Sequence, residues 1–267
     1  MQLYLTAGPE DLPQAARYTR RLAHAAYRVG PEGRLLRRDL PHQVRGGLMV
    51  LEDRDCGPIR DRDALCREVW RQCVSRGFLG AAADFEQPVS EDRLAFLQAL
   101  SAVFSRSGRP LYVPEAYGPQ VPLARVLLCT ALSGGFFQQR LEEAVRRFGS
   151  GRLALDLQRL RMDFPLPCPS GEGVPLSGEA LNALLEERRP PVFYSADLCA
   201  RYFTCLREGG SHLVLFDDAG TLSRKIQAGR RLGIPAGFLL YQETEDLLPQ
   251  LFGRQEAGRD QSRASMS

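Results

Sequence analysis

The chain has 267 residues, 44% hydrophobic and 25% charged, enough apolar chain for one large core. Its net charge of +3, with no basic stripe interleaved with aromatics, argues against a nucleic-acid partner. No apolar run approaches the roughly 20 residues that span a bilayer, and the opening MQLYLTAGPEDLPQ lacks a secretory signal. The expectation is a cytoplasmic chain with no membrane partner. Seven cysteines without a CxxC pair suit reduced, buried thiols better than a disulfide framework or a zinc site.

Taken in order, strand-like and helix-like segments alternate. QLYLTAG (2–8) and HAAYRVG (24–30) read as strands framing a helix that begins near Pro9. LMVLED (48–53) is a short apolar run ending in carboxylates, followed by a helix over 61–76. That helix carries Leu65, Cys66, Val69, Trp70, Cys73 and Val74 on one stripe of period 3.6. Asp61 and Asp63 suit its N-terminal end and Gly77 its stop. FLGAAADFE (78–86) comes next, then Ser90 as a cap and a helix with Leu94, Leu97, Leu100 and Phe104, closed by Gly108.

PLYVPEA (110–116) and RVLLCTA (125–131) read as strands, and Phe137 to Phe148 as a helix ended by Gly149. RLALDL (152–157) is the seventh strand; a helix near 222–232 leads into the eighth, AGFLLY (236–241). Between the seventh strand and that helix lie a proline-rich loop (Pro165, Pro167, Pro169), a short helix from Ser177, and the strand-like VFYS, YFTCL and HLVLFDD. Eight strands alternating with helices imply an α/β fold, a (β/α)8 TIM barrel with a small α+β insertion after the seventh strand. The expected domain runs over 1–253 with the insertion at about 158–217; the polar, aperiodic 254–267 reads as a disordered tail.

Barrel enzymes build their sites where strands end, because side chains there converge on one mouth. The strand ends supply Glu52, Asp53, Asp84, Glu86, Glu115, Asp156 and Tyr241. Several carboxylates in one mouth repel one another, so at least one has a raised pKa, which is what general acid catalysis requires. Asp84 and Glu86 form the sharpest pair, since a spacing of two on a strand puts both on one face. Ala81, Ala82 and Ala83 before them leave space. The plainer alternative is that two acidic residues end a strand and cap the next helix.

GAAADFE resembles a worn form of the glycoside hydrolase family 18 signature G-x-D-x-D-x-E. A longer stretch, HLVLFDDAGTLSRKIQAGRRLGIPAGFLLY (212–241), is similar to the closing segment of that family's spore-cortex-lytic and spore-coat branch. Phe216, Asp218, Ala219, Leu222, Lys225, Gly233 and Gly237 keep its pattern. PLSGEALNALL with PPVFYS resembles the family's α+β subdomain, and VLLCTALSGG its sixth strand. The resemblance covers roughly 46–252.

It implies a chitinase-like barrel that hydrolyses or binds N-acetylglucosamine-containing glycans, peptidoglycan or chitin-like, with no cofactor and no metal. It casts Glu86 as general acid, Asp84 as the residue orienting the acetamido group, and Tyr241 in place of the Trp under the sugar. Glu52, Glu115 and Tyr117 are the further substrate-binding candidates. It also suggests association with the spore or forespore. Departures are plain: Ala82 replaces the first Asp, and Ala131-Leu132 replaces the Tyr-Asp whose Tyr bonds the acetamido carbonyl. Tyr117 and Tyr112 are the nearest candidates to compensate. The alternatives are a catalytically inactive glycan-binding or structural barrel, and a divalent-metal barrel enzyme using Glu52, Asp84, Glu86 and Glu115. His212 suits a structural hydrogen bond, and His24 and His42 have no partner motif.

Overall fold

The eight apolar runs become the staves of a closed barrel. In the computed structural model, which describes residues 1–38, 45–207 and 209–253, they begin with β1 (Gln2–Ala7) and β2 (Leu22–Val29). The expected tail at 254–267 and His42 lie outside the described residues. A short strand, β3 (Leu35–Arg37), pairs antiparallel with the end of β2, and β4 (Leu48–Glu52) pairs parallel with it. β5 (Gly80–Asp84), β6 (Leu111–Pro114), β7 (Arg125–Cys129) and β8 (Leu153–Asp156) continue the parallel sheet.

After β8 the chain leaves the barrel for a separate antiparallel sheet. Its strands are β9 (Arg161–Leu166), β10 (Val174–Pro175), β11 (Phe193–Ser195), β12 (Ala200–Arg207) and β13 (Gly210–Phe216), in the order β10-β9-β13-β12-β11. It then returns to β14 (Ala236–Leu240), which pairs with β8 on one side and β1 on the other; β1 also meets β2, closing the ring of eight. The fold is therefore the expected (β/α)8 barrel with an α+β insertion after its seventh stave.

The helices are α1 (Leu12–Ala15), α2 (Arg62–Ser75), α3 (Glu91–Arg106), α4 (Phe137–Phe148), α5 (Gly178–Arg188) in the insertion, α6 (Ala219–Arg231), α7 (Tyr241–Thr244) and α8 (Leu248–Phe252). Asp61 caps α2 by accepting from the Ala64 N–H at 2.9 Å, and Ser177 caps α5 through Ala180 N–H at 3.0 Å. Gly149, at φ +79, stops α4 in the left-handed region. No described helix is long and apolar enough to cross a membrane.

The proline-rich stretch differs from expectation. Residues 161–166 form β9, not a loop; Pro165 is accommodated because β10 reaches only Met162 and Asp163, leaving β13 alone beside it. The β6–β7 link has a single 3-10 turn, Glu115–Tyr117, where most links carry a helix.

Strand alternation sorts the core into two parts. One face of the staves packs outward on the helices, with Leu5, Met49, Ala81, Ala83, Val113 and Leu155 among Phe78, Phe96, Phe104 and Leu222. The other fills the barrel with Tyr4, Ala23, Leu48, Val50, Ala82, Tyr112, Ala154, Ala236 and Phe238. Ala82 of that inner set, with the half-buried Ala25, leaves space in the upper barrel.

A buried polar hinge joins the insertion to the barrel. Lys225 on α6 donates to Asp217 Oδ2 at 2.7 Å, and both side chains are wholly buried. Asp217 also accepts from the Leu160 N–H (3.0 Å) and the Thr221 hydroxyl (2.7 Å). Asp218 caps α6 reciprocally with Thr221. Within the insertion, His212 Nδ1 lies 2.8 Å from Asp163, the structural role expected of it.

Candidate functional site

The hollow opens at the C-terminal ends of the staves as a cleft of about 380 Å³. Ala25, Val50, Ala82, Leu127 and Phe238 form its floor, while Glu52, Asp84, Glu86, Asp156 and Glu243 bring carboxylates to its walls. Alternation explains three of these: Ala82 and Asp84 share the inner face of β5, Val50 and Glu52 that of β4, and Ala154 and Asp156 that of β8. Glu52 and Asp84 are direct neighbours in register.

Crowding has the expected electrostatic consequence. Asp84 keeps a solvent-exposed surface but sits deep in the cleft, and desolvation, then Glu86 and Glu52, raise its pKa to about 6. Asp156 is raised further, to about 7, by burial first and then by Asp84 and Glu243. Asp84 is thus protonated only in mildly acidic solution, while Asp156 changes its charge near neutrality.

Glu86 stands just past β5, exposed on the cleft rim, with Arg54 Nε 3.9 Å away. Its backbone is fixed from below. Asp53, fully buried, accepts the Glu86 N–H at 2.8 Å, and Arg93 Nε lies 3.4 Å from the other Asp53 oxygen. Gln87 donates to the carbonyls of Asp53 (2.6 Å) and Arg54 (2.8 Å) and accepts from Arg93. Phe85 points the opposite way, stacking on Phe96 at 6.4 Å and meeting the edge of Tyr117 at 6.2 Å.

The candidates therefore divide. Glu52, Asp84 and Glu86 meet in the cleft. Tyr241 does not: the inner positions of β14 are Phe238 and Leu240, so Tyr241 falls on the outer side. There it is 3% exposed and donates to Glu245 at 2.6 Å. The residue at the mouth is Leu240, 36% exposed. Glu115 and Tyr117 follow Pro114 into the 3-10 turn, away from the cleft lining. Glu115 pairs with Arg140 at 2.6 Å, and Tyr117 is buried under Phe85. Tyr112 lies inside the barrel below the floor, accepting from Arg125 at 2.9 Å.

Among the described residues no tyrosine lines the cleft to stand in for the absent sixth-strand donor; Ala131 and Leu132 pack into apolar clusters. The metal alternative loses Glu115 to Arg140, and among the described residues no three His, Cys, Asp or Glu are placed around one ion position. His24 is buried against the Gly46 carbonyl at 3.1 Å, and desolvation lowers its pKa to about 4.

Sequence reasoning found Asp156 as a strand end but gave it no role, although LALD places it on the inner face with Ala154. Phe238, stacked on Tyr4 at 5.3 Å and edge-on to Tyr112 at 5.0 Å, is the aromatic at the floor. Glu243 had no signal, since it reaches the cleft only through the turn of α7.

Neither protein-family models nor curated proteins give a match. Solved structures do. The spore cortex-lytic enzyme SleL of Bacillus megaterium QM B1551 is 19% identical over 91% of this chain and 70% of its own, with a TM-score of 0.63. A chitinase from Chromobacterium violaceum is 15% identical over 93% of this chain and 97% of its own, TM-score 0.68. A GH18 chitinase from Cycas revoluta, solved with (GlcNAc)4, is 12% identical over 94% and 98%, TM-score 0.60. The shared property is the fold: this chain has the (β/α)8 barrel seen in these chitinase-like structures, in a divergent form.

Proposed function

We propose that this barrel processes N-acetylglucosamine-containing glycans, peptidoglycan or chitin-like, with Glu86 as general acid and Asp84 orienting the acetamido group. The observation that carries this is the meeting of Asp84 and Glu86 in one open cleft, with the Asp84 pKa raised to about 6. In a substrate-assisted cleavage the sugar's own acetamido oxygen attacks the anomeric carbon, so the protein need supply no carboxylate nucleophile. Glu86, on the rim, gives its proton to the departing glycosidic oxygen and then takes one from the incoming water. A protonated Asp84 offers a hydrogen bond as well as an acceptor, which lets it engage the amide between those steps.

Replacing Glu86→Gln removes the transferable proton while keeping shape. Release of reducing ends from chitin oligosaccharides or peptidoglycan is expected to disappear in the variant; equal release by both proteins would end the catalytic reading.

A second reading, binding without turnover, is favoured by Ala131-Leu132 and by Leu240, which leave the cleft without a sixth-strand donor and without an aromatic at the mouth. Saturable oligosaccharide binding by the unaltered chain with no reducing ends released would select it.

A further inference from the structure

Asp156 ends β8 on the inner face of the barrel, in register with Cys129 on β7 and Phe238 on β14. Two hydrogen bonds lead to it in one direction. The Cys129 thiol donates to Gln158 Oε1 at 3.4 Å, and Gln158 Nε2 donates to Asp156 Oδ2 at 2.9 Å. A side-chain amide accepts at its oxygen and donates at its nitrogen, so the chain thiol–amide–carboxyl delivers a donor to Oδ2. Any proton the carboxyl holds is therefore best placed on Oδ1.

The charges facing Asp156 favour keeping that proton. Asp84 stands across from it on β5, Glu52 on β4, Glu86 after β5, Glu243 on α7 and Glu10 after β1. The cations at the same mouth are engaged elsewhere: Arg54 lies 3.9 Å from Glu86, and Arg38 lies 3.6 Å from Glu10. Arg159, close by in the chain, bonds Asp246 at 2.6 Å and the Glu243 carbonyl at 2.9 Å. Among the described residues no Lys or Arg forms an ion pair with Asp156.

We propose that Asp156, oriented by Gln158 and Cys129, donates a hydrogen bond from Oδ1 to a carbonyl oxygen of the bound ligand, the acyl oxygen of an N-acetylated sugar. This rests on the glycan reading and gives it the amide-carbonyl donor that Ala131-Leu132 cannot supply. The rise of the Asp156 pKa to about 7 keeps the donor protonated through mildly acidic pH and removes it above neutrality. A ligand carbonyl is rewarded only while the proton stays; an ionised Asp156 repels it.

The test uses the full chain carrying Glu86→Gln, so that ligand is bound without turnover. Calorimetry measures affinity for the N-acetylglucosamine tetramer and for the glucose tetramer, which lacks the acetamido group, at pH 5.5 and 8.5. With Asp156 intact, affinity for the acetylated tetramer falls about tenfold at the higher pH, the size of one lost hydrogen bond to a buried partner. Adding Asp156→Asn, whose amide donates at every pH, keeps the affinity and removes most of the fall, the remainder belonging to Asp84. Adding Asp156→Leu gives weak binding at both pH values, and the glucose tetramer ignores all three states.

An Asp156→Asn protein with the full pH dependence, or an Asp156→Leu protein that binds as the parent does, overturns the proposal while leaving the glycan reading intact. No binding of either tetramer by the parent overturns both. Ligand-free melting at pH 5.5 gives a readout independent of sugar: the Asp156→Asn protein should melt with the parent, which separates lost contact from lost fold.

Discussion

The hinge between insertion and barrel and the mouth of the cleft are both built from charged side chains, and they treat them in opposite ways. At the hinge Lys225 and Asp217 are wholly buried, paired at 2.7 Å, and every oxygen of Asp217 has a donor. At the mouth six carboxylates, Glu10 among them, crowd one opening, and the pKa values of Asp84 and Asp156 rise in response. A satisfied network of this kind serves architecture. A frustrated one, open to solvent, stores free energy that a ligand can release. The longest match to a known family pattern falls at the hinge, while the crowded carboxylates lie in the mouth.

The sharpest way to break the contrast is at the hinge. Lys225→Met leaves Asp217 buried without its cation, and a loss of roughly 3–5 kcal/mol is expected in urea unfolding. A loss below about 1 kcal/mol would show that the pair is not what holds α6 to the insertion.

At the mouth the sign reverses. A carboxyl whose folded pKa is raised from 3.8 to about 6 stabilises fully below pH 3.8 and loses that contribution as pH rises through about 6. Asp84→Asn should therefore change little at pH 4 and raise the unfolding midpoint at pH 8. Solvent contact limits the gain to at most about 1 kcal/mol. An unfolding curve at pH 8 that drops in the variant would contradict the repulsion.

The smallest effect belongs to the misplaced aromatic. Tyr241→Phe forfeits one hydrogen bond to Glu245, about 1 kcal/mol of stability, and should leave glycan affinity as it was. A drop in affinity, measured by titration calorimetry, would return Tyr241 to the site.

The eight staves were legible because each is a short apolar run bounded by Gly, Pro or carboxylates, and Glu52, Asp84 and Glu86 followed from counting along them. What failed was parity and punctuation. Assigning Tyr241 as the platform misjudged the face of β14 by one residue, which in a strand exchanges core for cleft. The expected strand 110–116 puts Glu115 at its end with Tyr117 beside it, but Pro114 ends β6 and a 3-10 turn carries both away. Asp156 needed only the same parity applied to LALD. Pro165 concealed β9, because a proline is admissible in a strand with a free flank, and that flank is visible only in the sheet.

Asp53 holds Glu86 by its backbone N–H and not by its side chain. The loop's path is thus independent of what residue 86 carries. Position 86 behaves as a socket: a different acid, a nucleophile or a metal ligand can be grafted there without rebuilding the loop. Tyr117, Phe85 and Arg93 would keep presenting the replacement at the same point of the rim.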